Sequence, residues 1–271
     1  MISADKPEFA WGEKTFVMGI INLSPDSFSG DGLSVPESVL LKLEQFLEAE
    51  VDLIDIGAQS TRPGHEEITI SEEIRRLDLV LSLVRSQTDV PISLDTYRSE
   101  VVTYGLNNGV NIINDIWGLK MDPNIAAIVA DRKATIILMH NQNGTCYENL
   151  VEDIKSSLSE SMTLALDNGI GRDSIILDPG IGFGKTPLQN LEIIRRLSEI
   201  KSLGFPILVG ASRKSVIGYT LDLPVEKRLE GTAAINAIAI NNGADMIRVH
   251  DVVEMSRVAK MSDAIVRFRP D

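Results

Sequence analysis

Eight short apolar runs, separated by stretches of helical periodicity, constrain the fold of this 271-residue chain more than any other feature. They lie at residues 16–24, 51–57, 91–96, 111–116, 134–140, 174–179, 206–209 and 245–250. Each is of strand length and largely without polar alternation, as expected of strands buried on both faces in a parallel sheet. Between them, apolar residues recur at helical spacing. Val39, Leu43, Phe46 and Leu47 form one such face, and Ile74, Leu77, Val80, Leu81 and Val84 a second. Leu150, Ile154, Leu158, Met162 and Leu166 form a third, and Leu188, Leu191, Ile194 and Leu197 a fourth, the last on one helix ahead of strand seven. Ser34 stands at capping-box spacing from Glu37, with Pro36 in the first turn. Asn-Asn-Gly occurs at 107–109 and again at 241–243, each time just ahead of a strand, so glycine is placed to end both helices in the left-handed conformation.

Eight strands alternating with helices over some 250 residues predict a single (β/α)₈ barrel domain over residues 1–271. A short hairpin-like N-terminal extension turns at Trp11, Gly12, Glu13 and Lys14, and a last helix is expected near 254–266. A doubly wound open sheet is the alternative, but no G-x-G-x-x-G follows the first strand. No apolar run reaches the ~20 residues of a membrane span, and residues 1–7 lack a signal-peptide pattern. One cysteine, Cys146, precludes an intrachain disulfide, which suits a cytoplasmic protein. The net charge of −13 argues against a nucleic-acid surface, and an anionic ligand would need a locally positive site.

The ends of the runs carry unusual polar groups: Asn22, Thr61-Arg62, Asp95, Asn114, Asp178, Lys214, and Arg248 with His250. A barrel brings all eight strand C-termini to one mouth, so these groups are expected to converge there. Arg62, Arg213, Lys214, Arg248 and His250 supply donors suited to phosphate or carboxylate oxygens. Asp95, Asn114 and Asp178 offer the mixture of acceptors and an amide that a flat heterocycle with several N–H groups requires. His65, His140 and His250 are too scattered to predict a zinc site. Asn22 could help hold Mg²⁺ if the substrate is phosphorylated. The stretch 180–186, Gly-Ile-Gly-Phe-Gly-Lys-Thr, lacks phosphate-loop spacing and reads as a turn presenting Phe183.

Four motifs taken together, Asn-Leu-Ser-Pro-Asp-Ser-Phe-Ser at 22–29, Ser-Thr-Arg-Pro-Gly at 60–64, Asp-Pro-Gly-Ile-Gly-Phe-Gly-Lys-Thr at 178–186 and Ser-Arg-Lys-Ser at 212–215, resemble the dihydropteroate synthase family. The resemblance runs in order from about residue 16 to 252. It implies a transferase of folate biosynthesis on a TIM barrel, joining 6-hydroxymethyl-7,8-dihydropterin diphosphate to p-aminobenzoate. By that resemblance Asp95, Asn114, Asp178 and Lys214 bind the pterin, with Arg248 against its ring. Asn22 holds Mg²⁺ with the diphosphate, which Thr61 and His250 also meet. Phe28, Arg62, Pro63, Phe183 and Ser215 shape the p-aminobenzoate pocket, and Lys214, Arg62 and Asp95 are the catalytic candidates. It also implies a homodimer formed through barrel helices. Two departures stand out: the first loop reads Ser-Gly-Asp-Gly at 29–32, displacing Asp31 by one position, and Trp117 replaces a small residue. A methyltetrahydrofolate-binding methyltransferase domain and a non-catalytic pterin-binding paralogue are the alternatives. The former lacks the Ser-Arg-Lys and Ser-Thr-Arg-Pro-Gly loops.

Overall fold

A computed structural model describes residues 7–23, 35–59 and 67–267. Its strands are β1 (Phe16–Asn22), β2 (Leu53–Gly57), β3 (Ile92–Asp95), β4 (Ile112–Asp115), β5 (Thr135–Met139), β6 (Ile175–Asp178), β7 (Leu208–Val209) and β8 (Met246–Val249). The sheet order is β6-β5-β4-β3-β2-β1-β8-β7, every pairing is parallel, and a bridge between Leu177 and Ile207 joins its two ends. The eight-stranded barrel expected from the sequence is therefore present. Around it run α1 (Val35–Glu48), α2 (Ile70–Gln87), α3 (Ser99–Asn107), α4 (Asn124–Asp131), α5 (Leu150–Asp167), α6 (Pro187–Arg195), α7 (Leu197–Lys201), α8 (Ser215–Leu221), α9 (Leu229–Asn241) and α10 (Val252–Val266).

Side chains alternate along each strand between two cores. Val17, Ile54, Leu94, Ile113, Ile136, Leu177 and Ile247 face outward and pack with the helices. Phe16, Met18, Leu53, Ile112, Ile137, Ile176, Leu208 and Met246 form a separate cluster drawn from seven of the strands, which is possible only inside the barrel. Phe9 and Trp11 pack on this inner cluster at the N-terminal end. Their rings lie 4.9 and 5.1 Å from that of Phe16, so the N-terminal extension plugs the bottom of the barrel.

Gly109 and Gly243 both take left-handed conformations, with φ of +90° and +103°, after α3 and α9. The repeated Asn-Asn-Gly is thus a repeated helix stop. Two helical faces differ from expectation. The run from Leu150 at four-residue spacing holds through Leu158, but Leu166 is exposed and Ala165 is buried in its place. Steps of four advance roughly 40° beyond a full turn each, so four of them carry a residue off the buried face. Between β6 and β7 the helix breaks at Arg196 into α6 and α7. Ile194 and Leu197 are buried, whereas Leu188 and Leu191 point to solvent and Asn190 and Ile193 turn inward. Ser34 lies outside the described residues, so its capping role stands as a sequence expectation.

Candidate active site

The inward positions change character along the strands. Two residues beyond Leu53, Ile112, Ile176 and Met246 stand Asp55, Asn114, Asp178 and Arg248, and Asp95 closes the ring from β3. Because side chains alternate with period two, these groups inherit the inward direction of the plug beneath them. All five are buried or nearly so.

Arg248 is the hub. Its Nε donates to Asp55 Oδ2 at 2.6 Å and one terminal nitrogen donates to Asp95 Oδ2 at 2.9 Å. Asn114 Nδ2 approaches Asp55 Oδ1 at 3.4 Å. Burial works against the Arg248 charge, but Asp55 and Asp95 outweigh it and raise its pKa. Asp95 is pushed upward by burial, which Arg248 opposes and the neighbouring Asp55 reinforces. Its second oxygen, Oδ1, is buried without a partner among the described residues. A buried acceptor left unpaired costs about 1–3 kcal/mol, a cost that a donor on a ligand would remove.

Asp178 ends β6 and accepts from the Gly180 backbone N–H at 2.7 Å through Oδ1. Burial raises its pKa despite Lys214 and that N–H. Lys214 donates to the carbonyl of Ile181, and its ammonium lies 4.5 Å from the centre of the Phe183 ring. Burial lowers its pKa to about 8, and Asp178 pulls the other way. One positive charge and one ring are thus stacked at the edge of the polar ring. Burial, then Arg248 and Arg213, depress His250 to about 3, so at neutral pH it contributes hydrogen bonds and no charge. Its Nδ1 sits 3.0 Å from Ser212 Oγ, which also receives the His250 backbone N–H at 3.1 Å.

The remaining sequence candidates divide by position. Asn22 ends β1 and flanks Gly57. A Cβ on that glycine would lie 3.7 Å from Asn22 Oδ1 and 3.4 Å from Asp95 Cβ. Ser215 is the exposed first residue of α8. Arg213 turns away from the ring and pairs with both oxygens of Asp251 through Nε and one terminal nitrogen, in a left-handed backbone conformation with φ of +57°. Trp117 is half-buried in a turn held by Asp115, which accepts its N–H at 2.8 Å. Phe28, Asp31, Thr61, Arg62, Pro63 and His65 lie outside the described residues.

Two buried charged residues at the site are not among the sequence candidates. Asp55 was legible in principle: an acid within a fully apolar strand, in phase with the inward Leu53. Lys185 was not, because its motif resembled an exposed turn. It is buried, its Nζ bonds His140 Nδ1 and two loop carbonyls, and burial lowers its pKa to about 7.

Among the described residues no group of three or more His, Cys, Asp or Glu could hold a metal ion. The amide oxygen of Asn22 beside Asp95 and Gly57 suits Mg²⁺, a hard cation that takes few protein oxygens and completes its shell from water and phosphate. It does not suit zinc.

Comparison with known proteins agrees with this geometry. A family model described as pterin binding enzyme matches residues 18–250. The dihydropteroate synthase of Clostridium beijerinckii is 48% identical over 262 residues, covering 96% of this chain and 97% of that protein. That of Bacillus subtilis is 43% identical over 258 residues, covering 95% and 90%. A solved dihydropteroate synthase from Clostridium difficile, crystallised in the presence of pteroic acid, superposes with a TM-score of 0.93 at 43% identity, covering 96% of this chain and all of the other. The Xanthomonas albilineans enzyme with 4-aminobenzoic acid superposes with a TM-score of 0.91 at 33% identity, covering 96% and 95%.

Proposed function

The chain belongs to the dihydropteroate synthases, within the pterin-binding enzymes, and from that premise we propose how its residues divide the work. The activity is the condensation of 6-hydroxymethyl-7,8-dihydropterin diphosphate with p-aminobenzoate, a step of folate biosynthesis. The C–O bond to diphosphate breaks, a C–N bond to the arylamine forms, and the amine gives up one proton.

The observation that supports the pterin assignment most is the ring of Asp55, Asp95, Asn114, Asp178 and Arg248, with Asp95 Oδ1 buried and unpaired. The acids accept from the N–H groups of the pterin and Asn114 completes the edge. Arg248, already fixed by two acids, lies against the ring and faces the departing diphosphate. Lys214 donates to the pterin while its positive charge offsets the charge developing on the leaving group. His250, neutral, donates to diphosphate. Asn22 would help hold Mg²⁺, which when bound would supply charge neutralisation for the leaving group. Phe183 and Ser215 form part of the wall of the p-aminobenzoate pocket, with Phe28, Arg62 and Pro63 contributing from the two loops after β1 and β2, while Thr61 meets the diphosphate.

Calorimetry on Asp178→Ala tests this reading. The folded variant should lose binding of the dihydropterin diphosphate, and unchanged affinity would remove the acids from the pterin site. Diphosphate release that depends on p-aminobenzoate separates a catalyst from a binding paralogue.

The assembly is a homodimer through the outer face of α6, α8 and α9. These helices pack on one another, and they expose Leu188 (67%), Tyr219 (66%) and Ile238 (51%), an apolar surface that a second copy can cover. Sedimentation of Leu188→Glu checks it, a monomer being the expected result. A cytosolic setting suits the lone cysteine, and no described helix is long and apolar enough to cross a membrane.

A further inference from the structure

The loop between β6 and α6, residues 179–186, carries Phe183 and the Ile181 carbonyl that Lys214 engages. It contains glycines at three positive-φ positions, 180, 182 and 184. A backbone so free of side chains has little intrinsic reason to hold one shape. Yet its polar groups are closely accounted for. The Gly180, Gly182 and Phe183 N–H groups donate to Asp178 Oδ1, Asn190 Oδ1 and the Gly180 carbonyl. The Gly184 carbonyl accepts from Tyr147 Oη at 2.8 Å.

Lys185 closes the set from beneath. Its Nζ donates to the carbonyls of Gly180 at 2.9 Å and Phe183 at 2.8 Å, and it lies 2.9 Å from His140 Nδ1 at the end of β5. An ammonium has three N–H groups, and three acceptors stand around this one. His140 is pressed down to about 3 by burial and then by Lys185, so it is neutral and can accept at Nδ1 when its proton resides on Nε2. The loop also rests directly on this floor. A Cβ on Gly180 would come within 2.0 Å of the His140 carbonyl oxygen, so only glycine allows that approach.

We propose that Lys185, seated on His140, is a positioning residue that staples the glycine-rich loop to the barrel and thereby sets Phe183 for the arylamine half of the reaction. The network also tolerates loss of the Lys185 proton. A neutral amine keeps both donations to the loop carbonyls, and its lone pair then accepts from His140 once the imidazole proton moves to Nδ1. The functional half of the proposal rests on the assignment of Phe183 to the p-aminobenzoate pocket, whereas the structural half does not.

The experiment uses Lys185→Met, of similar length and without donors, beside His140→Asn, which keeps an acceptor near Nδ1, and Phe183→Ala. Hydrogen exchange over residues 180–186 should quicken at least tenfold in Lys185→Met and stay near wild type in His140→Asn. Unchanged exchange in Lys185→Met overturns the staple whatever the substrates do. In kinetics, Lys185→Met should raise KM for p-aminobenzoate at least tenfold and change pterin diphosphate affinity less than threefold. Equal losses for both substrates would make Lys185 a general prop of the fold and overturn the positioning role. Phe183→Ala tells the two failures apart. A KM for p-aminobenzoate unaltered in Phe183→Ala counts against the pocket assignment, and one raised there but unaltered in Lys185→Met counts against the positioning role.

Discussion

Ile176 and Asp178 stand two residues apart on the same strand and face the same interior, yet they belong to opposite halves of the barrel. Below, Ile176 packs in an apolar plug with Met18, Leu53, Ile112 and Met246, each fully buried or nearly so. Above, Asp178 belongs to a ring of buried acids, an amide and cations, in which burial raises the pKa of Asp95 and Asp178 and lowers that of Lys214. The plug contributes hydrophobic stabilisation and makes no use of a ligand. The ring carries desolvated charge and an Asp95 oxygen without a partner among the described residues, so by itself it opposes stability. One strand direction therefore separates folding from function along the barrel axis.

The largest effect that could break this contrast is at the upper position. Asp178→Asn keeps the shape and an acceptor for the Gly180 N–H but removes the charge. We expect kcat/KM to fall at least 10³-fold, about 4 kcal/mol. The empty protein should unfold at a higher temperature, gaining roughly 1–2 kcal/mol at pH 7. The sign follows from linkage. Asp178 titrates higher folded than unfolded, so the folded protein holds the proton more tightly, and stability falls as pH rises through that window. A variant both inactive and less stable in thermal unfolding would show that the ring supports the fold.

At the lower position the outcome should reverse. Ile176→Ala leaves a cavity in the plug and should cost about 2–5 kcal/mol in denaturant unfolding. The protein that remains folded should keep kcat/KM within about threefold of wild type. A much larger loss of activity would mean that the plug also tunes the ring.

The pH profile sharpens the comparison further. Lys214 carries its charge below about 8 and loses it above. The descending limb of kcat/KM, which reports groups in the free enzyme, should therefore begin near pH 8 and fall roughly tenfold per unit. In Lys214→Arg that limb should vanish, with activity low at every pH because the planar fork does not fit where an ammonium did. A limb unchanged in that variant would assign the titration elsewhere.

The smallest effect is expected just beyond the ring. Arg213, one residue before Lys214, pairs with Asp251 at a partly exposed site. Arg213→Lys should alter kcat/KM less than about threefold and stability by less than about 1 kcal/mol, as exposed ion pairs contribute little. A tenfold loss in steady-state assay would extend the ring outward to include it.

Much of this arrangement is legible in the sequence. The strand ends at Asn22, Asp95, Asn114, Asp178 and Arg248 converge because parallel strands of a barrel share one direction. Asp55 follows from the same alternation, but its place inside a strand rather than at the end of one hides it among apolar neighbours. The outer helices were less legible. Leu188 and Leu191 fit an apolar stripe, but α6 ends at Arg195 and the chain restarts as α7, so the stripe divides between solvent and core.

What the sequence determined by itself is whatever depends on local period and chain direction: eight strands, their inward and outward faces, the helix stops at Gly109 and Gly243, and the identity of the groups at the mouth. What only the tertiary structure decided is which of those groups touch. Arg248 reaches Asp55 across 193 positions of sequence, and Lys185 finds His140 across 45. Such contacts follow from barrel closure and from the fit of one loop over one strand end. No local pattern records either, because burial, and with it the charge each group carries, is a property of everything packed around it.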